Sequence, residues 1–554
     1  MEGADIVIGG VFPNQTTYFS DYHSVGKTLP AVDEKQDYKL ISLAENGSST
    51  VMRFSRPFRT CDPNDMDITT DTMRVIYAYG VDDAIEYHAG RRGTKSIQLL
   101  QEDQPARLPP PSTFNIKELI MDNFTVPATE TTYACTFAAL PAVTKKHHIY
   151  KFEPIIQAGN EALIHHIVLY SCPRMANVTT PTGQCQDRKY PHPFTQCFQN
   201  MVAWGVGGEG FQFPSHVGIS LGTLEDPTHV MMEIHYSNFH ATAGLRDSSG
   251  MRLYYTSEVR KYDVGILEVG PHLFRGVFIP PRVESFQTYG LCYTDHFPVL
   301  SPAVNEMHVF ASLLHTHLAG RAVQIAQYRN GSQIGFLGRD MNYDFNLQET
   351  RLLQNEATLK VGDAMLLECT YNTMDRANIT LGGMGTKDEM CMAFLYIYPR
   401  SNITNCNSVP DLVSIATALG RNVSSFGDAA EKIRTFQWDA ESTQILEEMS
   451  RDAMQFIYLA SQTGFHYAGA GHIPNITQPT SVPCNGMPDS NQPGQVMPDH
   501  HSPDHGLPGV HQPYMNCGTT QVSTAWFVPL LLMSFQATLL TEILGFNTLE
   551  VFFV

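Results

Sequence analysis

The residues with the clearest chemical potential in this chain are two histidines placed two positions apart. His315 and His317 flank Thr316 in the segment MHVFASLLHTHL. Side chains at positions i and i+2 of a β-strand project from the same face, so both imidazoles can converge on one metal ion. Because a lone HxH pair also arises by chance, it predicts a metal site only together with further ligands.

A third histidine closes an apolar strand. His235 ends HVMMEIHYSN, in which alternation places Val230, Met232 and Ile234 on the core face and turns His235 to the other face. The alternative is an ordinary solvated histidine on the surface of a sheet. The alternation therefore makes His235 a candidate ligand whose neighbours in space must decide between the two.

Two histidine pairs are direct neighbours in the chain. His165 and His166 lie in EALIHHIVLY, and His147 and His148 lie in KKHHIYKFEP. Adjacent strand residues point to opposite faces, so joint ligation by His165 and His166 requires a β-bulge or a strand end. We assign a structural role to His147 and His148.

The softest candidate ligand is Met390, in KDEMCMAFLYIYP. It is either a core residue or a thioether ligand, and a thioether selects Cu(I) over Zn(II). A site built from His315, His317 and Met390 therefore predicts redox-active copper. A zinc hydrolase that uses the two histidines is disfavoured by the sulfur and by the lack of a well-placed carboxylate base.

Two other kinds of motif do not predict ligand sites. The glycine-rich stretches WGVGGEG and LGGMG lack the following helix and the lysine of a phosphate-binding loop. The histidine-rich segment DHHSPDHGLPGVHQP, at 499–513, is interrupted by prolines and glycines that cannot preorganise ligands. We assign this segment to an extended stalk.

The elements that must position these residues are short strands. Runs such as EALIHHIVLYSC, HVMMEIHYSN and MRLYYTSEV recur between turn residues and predict antiparallel β-sandwiches. The segment DAAEKIRTFQWDAESTQILEEMSRDAMQFIYLA has helical periodicity instead. The predicted fold class is all-β, with a short helical C-terminal region.

Length and charge limit the functions that this chain can have. Its 554 residues predict about three or four domains, and its formal net charge is −19. An acidic protein repels polyanions, so we expect no nucleic-acid partner. The sequence does not predict an oligomeric state.

Cysteines and glycosylation sequons predict the secretory pathway. Eleven cysteines accompany nine Asn-X-Ser/Thr sequons, although the first ten residues do not have the pattern of a signal peptide. The uncharged stretch 525–541, AWFVPLLLMSFQATLLT, predicts membrane attachment in the endoplasmic reticulum or at the cell surface, as a single-pass helix or a lipid-anchor signal. The predicted glycosylation sites are Asn14, Asn46, Asn123, Asn177, Asn330, Asn378, Asn402, Asn422 and Asn475.

Several ordered motifs together resemble one enzyme family. HHIYKFEPIIQAGNEALIHHIVLYSC, MEIHYSN, SSGMRLYYT, LLHTHLAGRAV, CTYNTMDR and KDEMC resemble the copper type II, ascorbate-dependent monooxygenases, and in particular the branch that is dopamine β-hydroxylase-like. The resemblance covers about residues 1–485. It implies two copper-binding, jelly-roll-like β-sandwich domains that face each other across a solvent-filled cleft, preceded by a truncated DOMON β-sandwich.

The resemblance also sets the expected domain boundaries. The parts are a partial DOMON domain (1–80), a linker (81–115), an N-terminal copper monooxygenase domain (116–285), a C-terminal copper monooxygenase domain (286–420), a helical segment (421–471), a Pro/Gly/His-rich stalk (472–524) and a hydrophobic tail (525–554).

The resemblance implies two copper ions per chain and assigns ligands to both. The implied ligands are His165, His166 and His235 for an electron-transfer copper, and His315, His317 and Met390 for an oxygen-activating copper. Tyr133 and His315 are the implied catalytic residues. The implied reaction hydroxylates a C–H bond of a small, aromatic-amine-like substrate, with O2 as co-substrate and ascorbate as reductant.

Further features follow from the same resemblance. The implied disulfides are Cys61–Cys484, Cys135–Cys185, Cys172–Cys197, Cys292–Cys406 and Cys369–Cys391, which leaves Cys517 unpaired. Leu313 stands where the peptide-processing branch has an arginine that binds the substrate carboxylate, so peptide amidation is not expected. The alternative to an enzyme is a catalytically inactive secretory-pathway glycoprotein with a recognition role.

Overall fold

The chain consists mainly of antiparallel strands. The computed structural model describes residues 3–46, 49–100, 110–172, 182–185, 197, 199–302, 304–461, 464–479, 484 and 548–553. These residues divide into two compact units, one from 1–69, 73–97 and 478–554 and the other from 70–72 and 98–477. The all-β prediction is confirmed.

The first unit contains one sheet and a separate hairpin. Its strands β1–β7 are Asp5–Val11, Thr17–His23, Ala31–Val32, Lys39–Asn46, Ser49–Ser55, Met73–Ala78 and Arg92–Ile97. β4 pairs with β5 as the hairpin, and the others belong to the sheet. Ile6 and Ile8 alternate along β1 and are buried with Ala4 and Ala78. β7 lies inside the predicted linker 81–115.

The second unit begins with a sandwich of two sheets. Its strands β8–β20 are Asn115–Ile120, Phe124–Thr125, Thr131–Ala139, His147–Ile155, Ile164–Ser171, Gly183–Gln184, Gln199–Gly205, Phe211–Gln212, Val217–Leu221, His229–Ser237, Arg246–Asp247, Gly250–Thr256 and Tyr262–Asp263. One sheet has the order β13-β10-β17-β12-β14, and the other has the order β20-β16-β11-β19-β8. Leu169 and Ile234 of the first sheet are buried in one core with Phe152 and Leu253 of the second.

A second sandwich follows in the same unit. Its strands β21–β33 are Gly265–Pro271, Phe278–Ile279, Phe286–Tyr293, Glu306–His315, Gly320–Arg329, Ser332–Asp340, Arg351–Lys360, Ala364–Tyr371, Thr380–Leu381, Met392–Tyr398, Ile403–Pro410, Gln455–Ser461 and Gly464–Gly471. The larger sheet has the order β27-β24-β30-β21-β31-β32-β33, and the smaller has the order β23-β28-β25-β26. Leu367 and Leu395, one from each sheet, are fully buried between them.

The two sandwiches share part of one hydrophobic core. Phe310 and Tyr396 of the second sandwich are buried among the core residues of the first. The ring of Phe213 lies 6.3 Å from that of Phe310 and 6.2 Å from that of Tyr396, between ring centroids. Burying aromatic rings stabilises such contacts by roughly 0.5–1.5 kcal/mol per pair beyond the burial of their area. The sandwiches therefore pack as one body.

The helices in the described residues are short. α1 (Phe297–Leu300) lies between β23 and β24, whereas α2 (Leu412–Ala418), α3 (Phe426–Arg434) and α4 (Ala440–Asp452) lie between β31 and β32. Asp439 caps α4, since its carboxylate accepts a hydrogen bond from Ser442 N at 2.8 Å. The predicted helical segment 421–471 is wrong after α4, because β32 and β33 form a hairpin there. Pairing of β32 with β31 extends the larger sheet and overrides the helical pattern that precedes it.

The predicted stalk and tail are described only in part. Most of 472–524, and 525–547 of the tail, lie outside the described residues. β34 (Thr548–Phe553) pairs with β1 and β6 in the sheet of the first unit. Among the described residues no helix has the length and apolar character needed to cross a bilayer. Attachment through the tail therefore stays a prediction.

All five implied disulfides are present in the structure. Their bonds join Cys61 to Cys484, Cys135 to Cys185, Cys172 to Cys197, Cys292 to Cys406, and Cys369 to Cys391. Cys517 lies outside the described residues.

Candidate metal centre

Three histidines converge on the first sandwich because their strands are neighbours. His235 is opposite Tyr133 in the β10–β17 pair and opposite His166 in the β12–β17 pair. The β12–β17 register shifts between Ile164 and His166, so His165 is the extra residue of a bulge. A bulge turns two adjacent side chains toward one side. The structure therefore meets the geometric condition that joint use of His165 and His166 requires.

The trio of His165, His166 and His235 has the geometry of a metal site. One ring nitrogen from each residue lies within 4.8 Å of the others. The Nδ1 atoms of His165 and His166 are 3.2 Å apart. His235 is fully buried, and its Nδ1 atom has no hydrogen-bond partner among the described residues. An unpartnered nitrogen in the interior fits a metal ligand better than the solvated histidine considered as the alternative.

Tyr133 lines the trio. Its ring stacks on that of His235, with centroids 4.4 Å apart and planes 13° from parallel. Its hydroxyl donates a hydrogen bond to the backbone oxygen of Met384 at 2.7 Å, so it links the first sandwich to the second. Burial, together with the nearby carboxylates of Glu233 and Asp388, raises the pKa of Tyr133 well above its ordinary value. The phenol stays protonated and positions the His235 ring.

His315 and His317 lie at and just beyond the end of β24. Their ring centroids are 5.2 Å apart and their planes are perpendicular. His317 donates from Nδ1 to the backbone oxygen of Asp388 at 3.0 Å, which leaves its buried Nε2 atom without a hydrogen-bond partner among the described residues. This hydrogen bond holds Nδ1, and Nε2 remains available to a metal, as in metal-ligating histidines.

The residues on either side of Met390 contact the segment that carries this histidine pair. Glu389 accepts hydrogen bonds from His317 N at 2.8 Å and from Ala319 N at 2.6 Å. Met392 is opposite His315 in the β24–β30 pair. The chain on both sides of Met390 therefore contacts the histidine pair, and Met390 itself is buried. The Cys369–Cys391 disulfide fixes the adjacent residue.

Glu389 is a further candidate residue that the sequence did not indicate beyond its place beside Met390. It is fully buried, and Arg376 lies 3.3 Å from its Oε1 atom. Burial raises the pKa of Glu389 to about 7, although the hydrogen bonds from Ala319 and His317 and the charge of Arg376 lower it. The carboxylate thus joins the turn after β24 to the segment that carries Met390.

The two histidine clusters adjoin each other. The ring centroids of His166 and His315 are 5.9 Å apart, and Thr386 Oγ1 lies 3.2 Å from His235 Nε2. His165, His235, His315 and His317 are all buried. In the part of the chain that the structure describes, the expected solvent-filled cleft does not separate the two clusters, because side chains of the second sandwich contact histidines of the first.

Two of those side chains come from one loop that the sequence did not single out. Phe345 stacks on His165, with ring centroids 3.9 Å apart. Gln348 accepts a hydrogen bond from His315 Nδ1 at 2.7 Å, and its amide nitrogen lies 3.3 Å from His165 Nε2. Neither residue belongs to a motif with a known ligand spacing, so only the folded chain reveals them.

The electrostatics of the clusters suit a cationic metal. Burial lowers the pKa of His315 to about 4 and that of His235 to about 3, with the neighbouring imidazole adding to the shift at His235. Burial and neighbouring imidazoles lower the pKa of His165, His166 and His317 well below its ordinary value. Neutral imidazoles keep their lone pairs for a metal. Imidazoles with an adjacent thioether are the donor set that copper prefers, so these residues fit copper.

Two other residues from the sequence analysis lie outside the clusters' ligand sets: His148 has a structural role, and Leu313 carries no charge. His148 is buried, contacts Asp263 Oδ1 through Nε2 at 2.7 Å and accepts a hydrogen bond from Arg260 N through Nδ1 at 2.8 Å. It lies in the other sheet of the first sandwich, away from the trio. Leu313 is buried in β24.

Comparison with known proteins identifies the domains. The profile of the N-terminal domain of copper type II ascorbate-dependent monooxygenases matches residues 117–243, and the profile of their C-terminal domain matches residues 262–416. A DOMON domain profile matches residues 1–80.

Curated relatives extend this match over most of the chain. DBH-like monooxygenase protein 2 of Mus musculus is 44% identical over 490 residues, which cover 87% of this chain and 78% of that protein. DBH-like monooxygenase protein 1 of Homo sapiens is 41% identical over 428 residues, covering 76% and 69%. Dopamine beta-hydroxylase of Homo sapiens is 34% identical over 417 residues, covering 74% and 67%. The chain belongs to the copper type II ascorbate-dependent monooxygenase family, whose reaction uses copper, ascorbate and O2.

Proposed function

We propose that this chain hydroxylates a C–H bond of a small organic substrate. The observation that carries the proposal is the adjacency of two largely buried histidine clusters, each with a buried ring nitrogen that has no partner among the described residues. Met390 lies between residues that contact the segment of the second cluster. Two such clusters would hold the copper that the one-electron chemistry between ascorbate and O2 requires.

The proposed ligands follow the two clusters. His165, His166 and His235 hold the electron-transfer copper, and His315, His317 and Met390 hold the oxygen-activating copper. Copper, when bound, supplies the one-electron chemistry and the activation of O2 that side chains cannot provide. Burial of the ligands excludes water from these positions, and Tyr133 holds the His235 ring by stacking. Glu389 fixes the turn that carries His317.

The proposed substrate class rests on Leu313, which places an uncharged side chain on the strand of the second cluster. Leu313 presents a buried aliphatic side chain on β24, two residues before His315. A guanidinium at that place would bind a substrate carboxylate in a bidentate manner, and leucine cannot. We therefore propose a substrate without a peptide carboxylate, such as an aromatic amine. Dopamine, after which the relative dopamine beta-hydroxylase is named, is a molecule of this class.

The test is metal-dependent oxygen uptake. The full chain, loaded with copper and supplied with ascorbate, is expected to consume O2 when a member of an aromatic-amine panel is added. His315→Ala should abolish this uptake, whereas His147→Ala, at a structural histidine, should leave it unchanged. Copper binding without O2 uptake on any substrate would reject the enzyme and favour the recognition glycoprotein.

The cellular setting is a further part of the proposal. Of the nine sequon asparagines, all but Asn177, which lies outside the described residues, are exposed. Exposed sequons and five disulfides support synthesis in the secretory pathway. We propose glycosylation at the exposed sites and membrane attachment through the tail 525–554. Mass shifts after glycosidase treatment and carbonate extraction of membranes test these two points.

A further inference from the structure

One loop of the second sandwich contacts both histidine clusters. This bridging loop, residues 341–350, connects β26 to β27. Gln348 is 2% exposed, and its side chain contacts an imidazole of each cluster. Its carbonyl oxygen accepts from His315, while its amide nitrogen donates to the backbone oxygen of Phe345 at 2.9 Å and lies against His165. An amide nitrogen carries two hydrogens and can serve both contacts.

The base of the bridging loop is closed by buried charges. Arg351, at the start of β27, donates to Asp340, at the end of β26, with 2.9 Å between Nη1 and Oδ2. Thr72 donates from its hydroxyl to the same Oδ2 atom at 2.6 Å. Asp340 is 1% exposed. Hydrogen bonds to charged groups are stronger than those between neutral groups, so these contacts hold the two stems of the loop together.

The tip of the loop is seated on glycines of the first sandwich. These glycines, Gly205, Gly207 and Gly208, form the glycine platform. A Cβ at Gly205 would lie 2.6 Å from the Cβ of Gln348 and 2.7 Å from its backbone oxygen. A Cβ at Gly207 would lie 2.3 Å from the backbone oxygen of Asn346. The motif WGVGGEG thus serves close approach of two backbones and does not bind phosphate.

A backbone hydrogen bond and a ring contact hold the seated loop. Gln348 N donates to Val206 O at 2.9 Å, directly between the platform glycines. The Phe345 ring stacks on His165. The loop therefore contacts the first sandwich through backbone, amide and aromatic groups at once.

We propose that the bridging loop, docked on the glycine platform, is a clamp whose Gln348 side chain sets the distance between the two copper sites. The clamp rests on the proposed copper assignment, since it acts through His165 and His315. Gln348 is a positioning residue, because it contacts ligands and not the reacting atoms. Without the clamp, the two clusters lose their shared hydrogen-bonded partner and move apart.

The first experiment needs no metal. Amide hydrogen exchange of the copper-free full chain measures docking of peptides that cover 344–349. Protection of Gln348 N is expected in the parent and is lost in Gly205→Ala, whose methyl group displaces the loop. Gly335→Ala is the matched control, because a Cβ there meets nothing within 4 Å. Equal exchange in Gly205→Ala and the parent would overturn the clamp.

The second experiment measures the separation of the copper sites in the full chain. With Cu(II) at both sites, pulsed dipolar electron paramagnetic resonance should give one narrow distance between the two ions. Gln348→Leu should keep both ions and give a longer or broader distance. Gln327→Leu, which removes another buried glutamine of the same sandwich, should keep both ions and the parent distance.

Failure of the clamp and failure of the proposed function give different experimental results. The parent distance in Gln348→Leu, or a broad distribution of distances in a parent that binds both ions, would overturn the clamp and leave the proposed function intact. A parent that does not bind copper at both clusters would reject the proposed function, while the exchange experiment still decides whether the loop docks.

Discussion

The two histidine clusters differ in what holds their ligands. The trio sits on two neighbouring strands of one sheet, β12 and β17, where the backbone ladder and one bulge set the positions. The pair at the end of β24 depends on Glu389 and on the Cys369–Cys391 disulfide to bring Met390 to it. A strand ladder spreads support over many hydrogen bonds, whereas a loop concentrates it in a few side chains. The second cluster is therefore the more fragile.

The largest effect is expected when the support that Glu389 gives to the second cluster is removed. Glu389→Ala should lower the free energy of unfolding by about 3–5 kcal/mol, because it leaves two buried backbone N–H groups without their acceptor and removes the carboxylate partner of Arg376. Urea unfolding measures the loss. Copper analysis should show the second site empty and the trio filled.

The matched control is Glu306→Ala, which removes an exposed glutamate from the same sandwich. It should change stability by less than about 0.5 kcal/mol. Loss of copper from the trio as well, or none from the second site, would contradict the contrast between the clusters.

The next effect is expected from removing either of two disulfides that close loops of nearly equal length. Cys369–Cys391 spans 22 residues beside Met390, and Cys172–Cys197 spans 25 residues beyond β12. Replacing either pair by alanines should destabilise the chain by about 3 kcal/mol, since loop closure entropy is similar. Only loss of Cys369–Cys391 should weaken copper binding at the adjacent cluster, as titration would show. Equal weakening of both clusters would mean that the ladder does not hold the trio.

A smaller effect is expected at Asp263, the partner of His148, and it distinguishes this structural histidine from the histidines proposed as ligands. Burial alone would raise the pKa of Asp263, but hydrogen bonds from His148 and Lys146 outweigh it and lower that pKa to about 2. A carboxylate with a lowered folded pKa stabilises the fold above its unfolded pKa, and this contribution is lost as pH falls through the folded value. Asp263→Asn should therefore lower stability by about 1–2 kcal/mol at pH 7 and by progressively less below pH 4.

Denaturant curves across pH measure this difference, and Glu225→Gln, at an exposed carboxylate, should show none of it. Copper content should be unchanged in Asp263→Asn. A fall in copper content would place His148 among the ligands and contradict its structural role.

The smallest effect concerns the contact between the clusters. Thr386→Val removes the hydroxyl that lies beside His235 Nε2 and should cost about 1 kcal/mol of stability. Copper affinity at the trio should fall about tenfold, because partners of ligating histidines contribute about that much. Thr404→Val, at a buried threonine remote from the clusters, is the control. Unchanged affinity would show that the strands alone orient His235.

The sequence predicts the trio better than it predicts the support of the second cluster. Alternation along HVMMEIHYSN correctly separates the core face from His235, and the adjacent histidines correctly require a bulge. Both inferences work because strand geometry is local and has a period of two. The same reasoning is incomplete for His317, which lies beyond the end of β24 and is fixed by Asp388 from a distant segment.

Long-range contacts account for what the sequence could not predict. Gln348 and Phe345 are ordinary residues of a loop, and only docking on Gly205 and Gly207 brings them to the histidines. The helical prediction for 421–471 fails at β32 for a related reason, since a segment rich in aromatic and β-branched residues pairs there with an available sheet edge. Among the described residues the expected cleft does not separate the clusters, because Gln348 contacts a histidine of each.

The aromatic core shared by the two sandwiches bears on how the protein is made. Phe213 finds its partners Phe310 and Tyr396 only after the ribosome has synthesised a further stretch longer than many whole domains. Until then the nascent chain exposes an apolar face, which is the condition that recruits chaperones and favours aggregation. Neither sandwich should therefore be recovered in soluble form when expressed alone, and proteolysis should not release them as separate fragments.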